Sequence, residues 1–335
     1  MTNGVMAGIF IEQEGLSFEH IRELASMAES EGLHSVWLQD HFFFTGRPLL
    51  ECFTTLSALA RVTEEVRLGT LVICNSYRNP GLVARMASTI DRLSEGRLCL
   101  GMGAGWHREE YEAYGYEFPP AGTRVGQLEE ALQVILSLWT EERTSFRGRF
   151  YTFRDAICEP KPLQKPHPPL WVGGGKPRIL SMAARLADGV NFLSPAETPF
   201  TPEECARRIA LLRPEVAGRE GFTFSIPGLA VLSRDREEVR RGIKNLMGKY
   251  AARRALLEGL RLALKRPGVA LSYLKFLLGL SYPSFLFAGG PAELIDQLRP
   301  YIDAGADYLI LDLHSSGLGP GAIRLFARDV LPALG

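Results

Sequence analysis

Five short stretches of this chain gather side chains able to do chemistry. Asp40-His41-Phe42 sets a carboxylate beside an imidazole, and an imidazole's ordinary pKa near neutrality suits proton transfer. Cys74-Asn75-Ser76-Tyr77-Arg78 is a run of polar side chains after an apolar segment. Gly103-Ala104-Gly105-Trp106 and Gly173-Gly174-Gly175 are glycine-rich, and glycine lets a chain turn closely and bare its amide N–H groups. Asn191 is a fifth polar position. Of these, WVGGGKPRIL is the strongest anion site: three glycines release amides just before a helix that opens near Pro177 and points its positive end at them. A phosphate belongs there. Taken singly, each stretch also has a plain reading: Asp40 as a helix cap, His41 as a core histidine, the glycines as turns.

The elements that must position these residues decide between the readings. Short β-rich runs alternate with helical ones. MAGIFI, SVWLQ, VRLGTLVI, GRLCLGMG, PPLWVGG, DGVNFL, a strand within FTFSIPGLAVL, and DYLILDL read as strands. Between them come helices at Phe18 to Glu31 (Ser17 as N-cap, Gly32 as stop), CFTTLSALARVT, GLVARMASTIDRLS, Arg124 to Trp139, Arg178 to Leu186, Glu203 to Leu212, PAELIDQLRPYIDAGA and Gly321 to Leu331. About eight β/α repeats imply parallel strands and fit a closed (β/α)8 TIM barrel, an α/β fold, better than an open doubly wound sheet. Such a barrel builds its active site where its strands end, on the C-terminal rim. Five successive strands end in the stretches named above, so one rim gathers them all.

The alternation GxGxG at Gly101, Gly103 and Gly105 does not complete a dinucleotide fingerprint. That motif needs GxGxxG after a first strand, and here Trp106 and His107 follow a fourth. Two stretches interrupt the repeats: an irregular insertion over 141–169, with extended RGRFYTF and proline-rich EPKPLQKPHPP, and a helical insertion over 237–283. No linker divides the chain, which reads as one domain over 1–335. The apolar faces of the second insertion suit a cover for the rim or a subunit contact in a homodimer or larger homo-oligomer.

Composition narrows the function. Lys+Arg and Asp+Glu are both 38, so the net charge is zero and no basic block suggests nucleic acid. Cys52, Cys74, Cys99, Cys158 and Cys205 are odd in number and hold no CxxC pair, which argues against a disulfide framework or a zinc site and for a reducing, cytoplasmic setting. The most apolar stretch, Arg261 to Leu280, is broken by Lys265, Arg266, Pro267 and Lys275, so two short helices are expected there rather than a membrane span.

The blocks SVWLQDHF, LGTLVICNSYRNPGLVARMASTIDRLSEGRLCLGMGAGWHREEYEAYG and CEPKPLQKPHPPLWVGGGKPRILSMAARLADGVN resemble the luciferase-like monooxygenase superfamily, and within it the branch that uses the deazaflavin coenzyme F420. The resemblance implies a barrel that holds F420, or alternatively FMN, on its rim. It implies that Asp40 and His41 lie beside the cofactor ring. It places Leu71 and Val72 at a bulge where members often carry a non-proline cis peptide behind the ring, with Cys74, Asn75 and Ser76 as ring contacts. Gly103, Ala104, Gly105 and Trp106 match the motif on strand four, and Gly173, Gly174 and Gly175 the phosphate loop. Some deazaflavin members have a glutamate directly after the strand-four glycines; here Trp106 holds that place, and Glu109 and Glu110 lie further on.

The implied chemistry is hydride transfer between F420 and a small organic substrate, with His41 as the acid/base and Asp40 orienting it or binding the cofactor. The alternatives are an FMN-dependent monooxygenase and a non-catalytic flavin-binding barrel. No paired-histidine motif after strand one supports a metal-dependent hydrolase, and no metal is expected.

Overall fold

The structure is a computed structural model that describes residues 4–43, 46–192, 200–251 and 286–335. Its strands are β1 (Met6–Ile11), β2 (Ser35–Leu38), β3 (Arg67–Thr70), β4 (Ile73–Cys74), β5 (Leu98–Gly103), β6 (Thr144–Arg147), β7 (Thr152–Ala156), β8 (Leu170–Gly173), β9 (Gly189–Asn191), β10 (Thr223–Leu232), β11 (Leu286–Gly289) and β12 (Tyr308–Asp312). Eight of them form a parallel ring in the order β1, β2, β3, β5, β8, β9, β10, β12, and β12 returns to β1 through Met6↔Tyr308. The barrel expected from the sequence is therefore present.

The helices follow from local chemistry. The helix Phe18–Ser30 is capped by Ser17, whose hydroxyl accepts the His20 N–H, and it buries Ile21, Leu24, Ala25 and Ala28, one apolar stripe at helical spacing. Asn79 caps the helix Pro80–Leu93, with Pro80 at the position where a missing N–H costs nothing. Strands β2 and β5 are buried at every residue, covered by helices on one side and the barrel interior on the other, which is why they read as continuous apolar runs.

Inside the ring the lower half is filled by aromatic rings. Trp37 and Trp171 lie 4.9 Å apart, and Tyr308 meets Trp171 edge-on at 5.1 Å. The Tyr308 hydroxyl lies 2.6 Å from both Ser35 Oγ and His34 Nδ1, and Trp37 Nε1 donates to Ser35 Oγ. A Cβ on Gly69 would come 2.2 Å from the Trp37 ring, so the rings need that glycine to fit. This packing closes the lumen from below and leaves the C-terminal rim as the place for a ligand.

The structure corrects the sequence reading at several points. VRLGTLVI is two strands, β3 and β4, separated at Leu71-Val72, which is a cis non-proline peptide. The 141–169 insertion is not wholly irregular, because β6 and β7 pair as an antiparallel hairpin before two cis prolyl bonds, Glu159-Pro160 and Lys165-Pro166. Strand β11, against the second half of β10, was not anticipated. A short helix, Arg108–Ala113, follows the strand-four glycines. The last helix is interrupted by a π-turn over Phe326–Val330. Of the 237–283 insertion the structure describes the helix Arg236–Ala251; the remainder, including Arg261 to Leu280, lies outside the described residues. Among the described residues no helix is long and apolar enough to cross a membrane. The five cysteines are all buried and unbridged.

Candidate active site

Strand β2 delivers Asp40 and His41 to the rim, but to different partners. Asp40 is buried and takes a two-pronged pair from Arg78, Nη1 to Oδ2 and Nη2 to Oδ1, both at 2.8 Å. Its Oδ2 also accepts the Cys74 amide at 2.9 Å. Asp40 therefore does not orient His41; it anchors the segment after β4, because two parallel N–H···O bonds fix a carboxylate's direction.

His41 is oriented instead by Glu110, which the sequence reading left without a role. His41 Nδ1 lies 2.8 Å from Glu110 Oε2. The same oxygen accepts the Tyr77 hydroxyl at 3.0 Å, and His107 Nδ1 lies 3.1 Å away. Oε1 accepts the Phe42 and Phe43 amides at 2.6 and 3.1 Å. Burial pushes the Glu110 carboxyl up, but the bonds from His107, His41 and Phe43 outweigh it and hold the group well below the usual carboxylate range. The side chain is wholly buried, and these bonds favour its ionised form. One nitrogen from each of His41 and His107 and one Glu110 oxygen lie within 4.8 Å of one another, a spacing that a metal ion could span. Both carboxylate oxygens are already engaged by N–H and O–H donors, so the arrangement is that of a hydrogen-bonded network.

Around this network stands an aromatic wall. Trp106 is 63 % exposed, meets His41 edge-on at 5.9 Å and stacks on His107 at 5.0 Å. Phe42 stacks on Tyr114 at 4.0 Å. The strand-four glycines have a packing cause as well as the expected one. A Cβ on Gly103 would meet Val72 Cγ2 at 2.7 Å, and one on Gly105, whose φ is +75°, would meet Tyr111 Oη at 1.9 Å and Cys74 Sγ at 2.6 Å. The Leu71-Val72 bulge and the Cys74 turn press against β5 only because those positions lack side chains. Burial pushes the Cys74 thiol up to about 11, so it is a protonated S–H within hydrogen-bond reach of Tyr111 and not a nucleophile.

Gly173, Gly174 and Gly175 end β8 just before the helix Pro177–Leu186, as expected. Gly174 donates its amide to Asn191 O at 3.0 Å, so that amide is engaged within the protein. Behind the loop lies a residue not foreseen: a Cβ on Gly175 would fall 1.9 Å from the buried Arg208 guanidinium, which pairs with Glu204 at 2.7 Å. The rim thus has two halves. The first gathers His41, Asp40, Cys74, Asn75, Ser76, Trp106 and Glu110, and the second gathers Gly173 to Gly175 with Asn191, on the next strands round the ring, β8 and β9.

Several buried polar atoms at the rim have no hydrogen-bond partner among the described residues: Gln39 Nε2 after β2, Asn75 Oδ1 and Ser76 Oγ after β4, Asn191 Nδ2 in β9, and Asp312 Oδ2 with Ser316 Oγ at β12. Buried polar atoms are normally paired, and unpaired ones cost roughly 1–3 kcal/mol each. Here they lie at the C-terminal ends of β2, β4, β9 and β12 of a single ring, where the polar groups of a bound ligand would pair with them.

The luciferase-like monooxygenase family matches residues 1–308. The chain is 28 % identical to an F420-dependent glucose-6-phosphate dehydrogenase of Amycolatopsis mediterranei (strain U-32) over 93 % of each chain. It is also 28 % identical to an FMNH(2)-dependent dimethylsulfone monooxygenase of Pseudomonas putida, over 56 % of this chain and 52 % of that one. In structure it resembles an F420-dependent secondary alcohol dehydrogenase solved with an F420-acetone adduct, with a TM-score of 0.79 over 99 % of both chains at 21 % identity.

Proposed function

The chain belongs to the luciferase-like monooxygenase family, and from that premise we propose that it is an F420-dependent oxidoreductase moving a hydride between the deazaflavin and a small organic substrate. The observation that carries this reading is the extent of similarity. The likeness to the F420-dependent dehydrogenase of Amycolatopsis spans 93 % of both chains, whereas that to the FMNH(2)-dependent enzyme stops at 56 % of this one.

The residues present fit such a cofactor. Asn75 Oδ1, Ser76 Oγ and Asn191 Nδ2 are buried, unpaired and set on the rim, ready to meet the polar edge of a ring. Leu71, Val72 and Cys74 form an apolar backing, with Gly103, Ala104, Gly105 and Trp106 beside it. Gly175, just beyond Gly173 and Gly174 at the opening of the helix Pro177–Leu186, offers a backbone N–H and the positive end of a ten-residue helix to a phosphate. Arg208 adds a buried cation next to that loop.

When bound, F420 supplies a two-electron hydride donor or acceptor. The protein then has three tasks. Arg78 and Asp40 keep the Cys74-Asn75-Ser76 turn fixed, so the ring contacts are preorganised. Trp106 and Phe42 narrow the mouth of the site and exclude water. His41 exchanges the proton that must accompany hydride transfer at a carbon bearing oxygen.

Fluorescence titration of the purified protein with F420 and, separately, with FMN tests the proposal. Tight F420 binding with weak FMN binding is expected. The reverse would replace it with the FMN-dependent monooxygenase reading, which the Pseudomonas putida relative favours. Binding of neither would remove the cofactor assignment.

A further inference from the structure

We infer that Glu110 is a positioning residue which fixes the proton of His41 on Nδ1 and leaves Nε2 as the atom through which His41 gives or takes a proton. The inference deepens the proton role given to His41 above and rests on it.

A carboxylate accepts hydrogen bonds and donates none, so a ring nitrogen 2.8 Å from Glu110 Oε2 must carry the hydrogen. Neutral His41 is thus the Nδ1–H tautomer, and any proton it exchanges with a substrate passes through Nε2. Glu110 is suited to this because it cannot turn away. Its Oε1 is held by the Phe42 and Phe43 amides, and its Oε2 by the Tyr77 hydroxyl. The two amides belong to the residues directly after His41, so one carboxylate fixes both the backbone that carries the ring and the ring itself. A carboxylate supporting an imidazole in this way selects tautomer and direction, and it stabilises the imidazolium when that forms.

Four residues from neighbouring elements surround the His41 ring or its backbone. Glu110 comes from the helix Arg108–Ala113, and the His107 ring lies 5.8 Å away with its Nδ1 on the same oxygen. Tyr77 meets that oxygen from the turn after β4. Asp40 is the residue before His41, but its charge is matched by Arg78. Glu110 is therefore the one carboxylate that His41 touches among these groups. His107 Nδ1 shares that carboxylate oxygen with His41. Sequence departs here from deazaflavin members with a glutamate directly after the strand-four glycines. Trp106 takes that place in this chain, and the carboxylate arrives one helical turn later from underneath the histidine.

The test uses the whole protein labelled with ¹⁵N-histidine and needs neither cofactor nor substrate. Long-range ¹H–¹⁵N spectra report which ring nitrogen bears the proton, and the chain's six histidines are few enough for His41→Asn to assign the signal. In the wild-type protein neutral His41 is expected as the Nδ1–H tautomer. In Glu110→Gln the tautomer is expected to revert to Nε2–H. An Nε2–H tautomer in the wild-type protein overturns the inference even if the variant fails to fold. So does a Glu110→Gln variant that folds and keeps the Nδ1–H tautomer. Titration with zinc closes the remaining route: stoichiometric movement of the His41 and His107 signals would make the three groups a metal site and overturn the dyad. A protein that shows the Nδ1–H tautomer but binds no F420 would keep the dyad and remove only the cofactor reading.

Discussion

Replacing Arg78 by alanine should destabilise the protein by about 4 kcal/mol, and the figure can be built from its contacts. Arg78 and Asp40 have side chains 11 % and 4 % exposed and share two bonds of 2.8 Å. Removing one partner of such a buried pair strands the other charge, which costs about 3–5 kcal/mol. The second arm of the guanidinium reaches Glu51 at 2.7 Å, but that side chain is 41 % exposed, so water screens it and its share is at most about 1 kcal/mol. Neutralising the stranded carboxylate should rescue the variant. In the double variant Arg78→Ala with Asp40→Asn no carboxylate is left unpaired, so about 2 kcal/mol or more should return, although both single variants are weaker than wild type. Urea unfolding followed by tryptophan fluorescence and circular dichroism measures all four proteins as one cycle. A loss below about 1 kcal/mol in Arg78→Ala, or no recovery in the double variant, would refute the account of Asp40 as a buried anchor. F420 affinity should fall in parallel, because the Cys74 amide hangs from the same Asp40 oxygen and leads into Asn75 and Ser76.

Other expectations are simpler. Burial pushes the Asp307 carboxyl up to about 6, against the lowering by backbone amides and Arg213. The folded chain therefore holds that proton more tightly than the unfolded one, and its contribution is complete below about pH 4 and lost as pH rises through about 6. About two pKa units amount to about 3 kcal/mol, and the fall should vanish in Asp307→Asn when unfolding is measured at pH 4, 5, 6 and 7. Trp106→Ala removes a side chain that is mostly in solvent, so stability should stay within about 0.5 kcal/mol while F420 or substrate binding weakens; a large drop in the melting temperature would contradict its place in the wall of the site. Gly101→Ala would set a Cβ 2.1 Å from the Thr70 carbonyl oxygen, which is backbone and cannot swing aside, and should cost about 1–3 kcal/mol in the same denaturation assay.

Much of the rim was readable in the sequence because strand ends carry their own punctuation. The glycines after β5 and β8, the Asp-His pair after β2 and the polar run after β4 stand out against apolar strands, and the ring gathers them as the alternation of elements implied. Other features were hidden for one physical reason, that they are contacts between distant parts of the chain. Glu110 meets His41 across 69 residues and Arg78 meets Asp40 across 38, and no periodicity records either. Asp40 next to His41 invited a pairing that the structure does not make, because both Asp40 oxygens are taken by Arg78 and the Cys74 amide while the His41 ring meets Glu110. A trace of Glu110 was nonetheless present: His107 and Glu110 sit three apart, the spacing that brings side chains together on a helix. The β11 strand escaped because four residues ending in Gly289 and followed by Gly290 read more readily as a turn.

The closure of the ring by β12 on β1 also has a consequence for synthesis. Met6 pairs with Tyr308, and Glu12 with His314 across 302 residues, so the hydrogen-bonding edge of the first strand has no partner until nearly the whole chain has been made. At roughly 5–20 residues per second that interval is about 15–60 s. Throughout it, the nascent sheet presents a buried-type apolar strand with an open edge, the kind of surface that recruits another chain or a chaperone. Yield in the cell should accordingly depend on translation speed and chaperone supply more than the equilibrium stability of the finished barrel suggests.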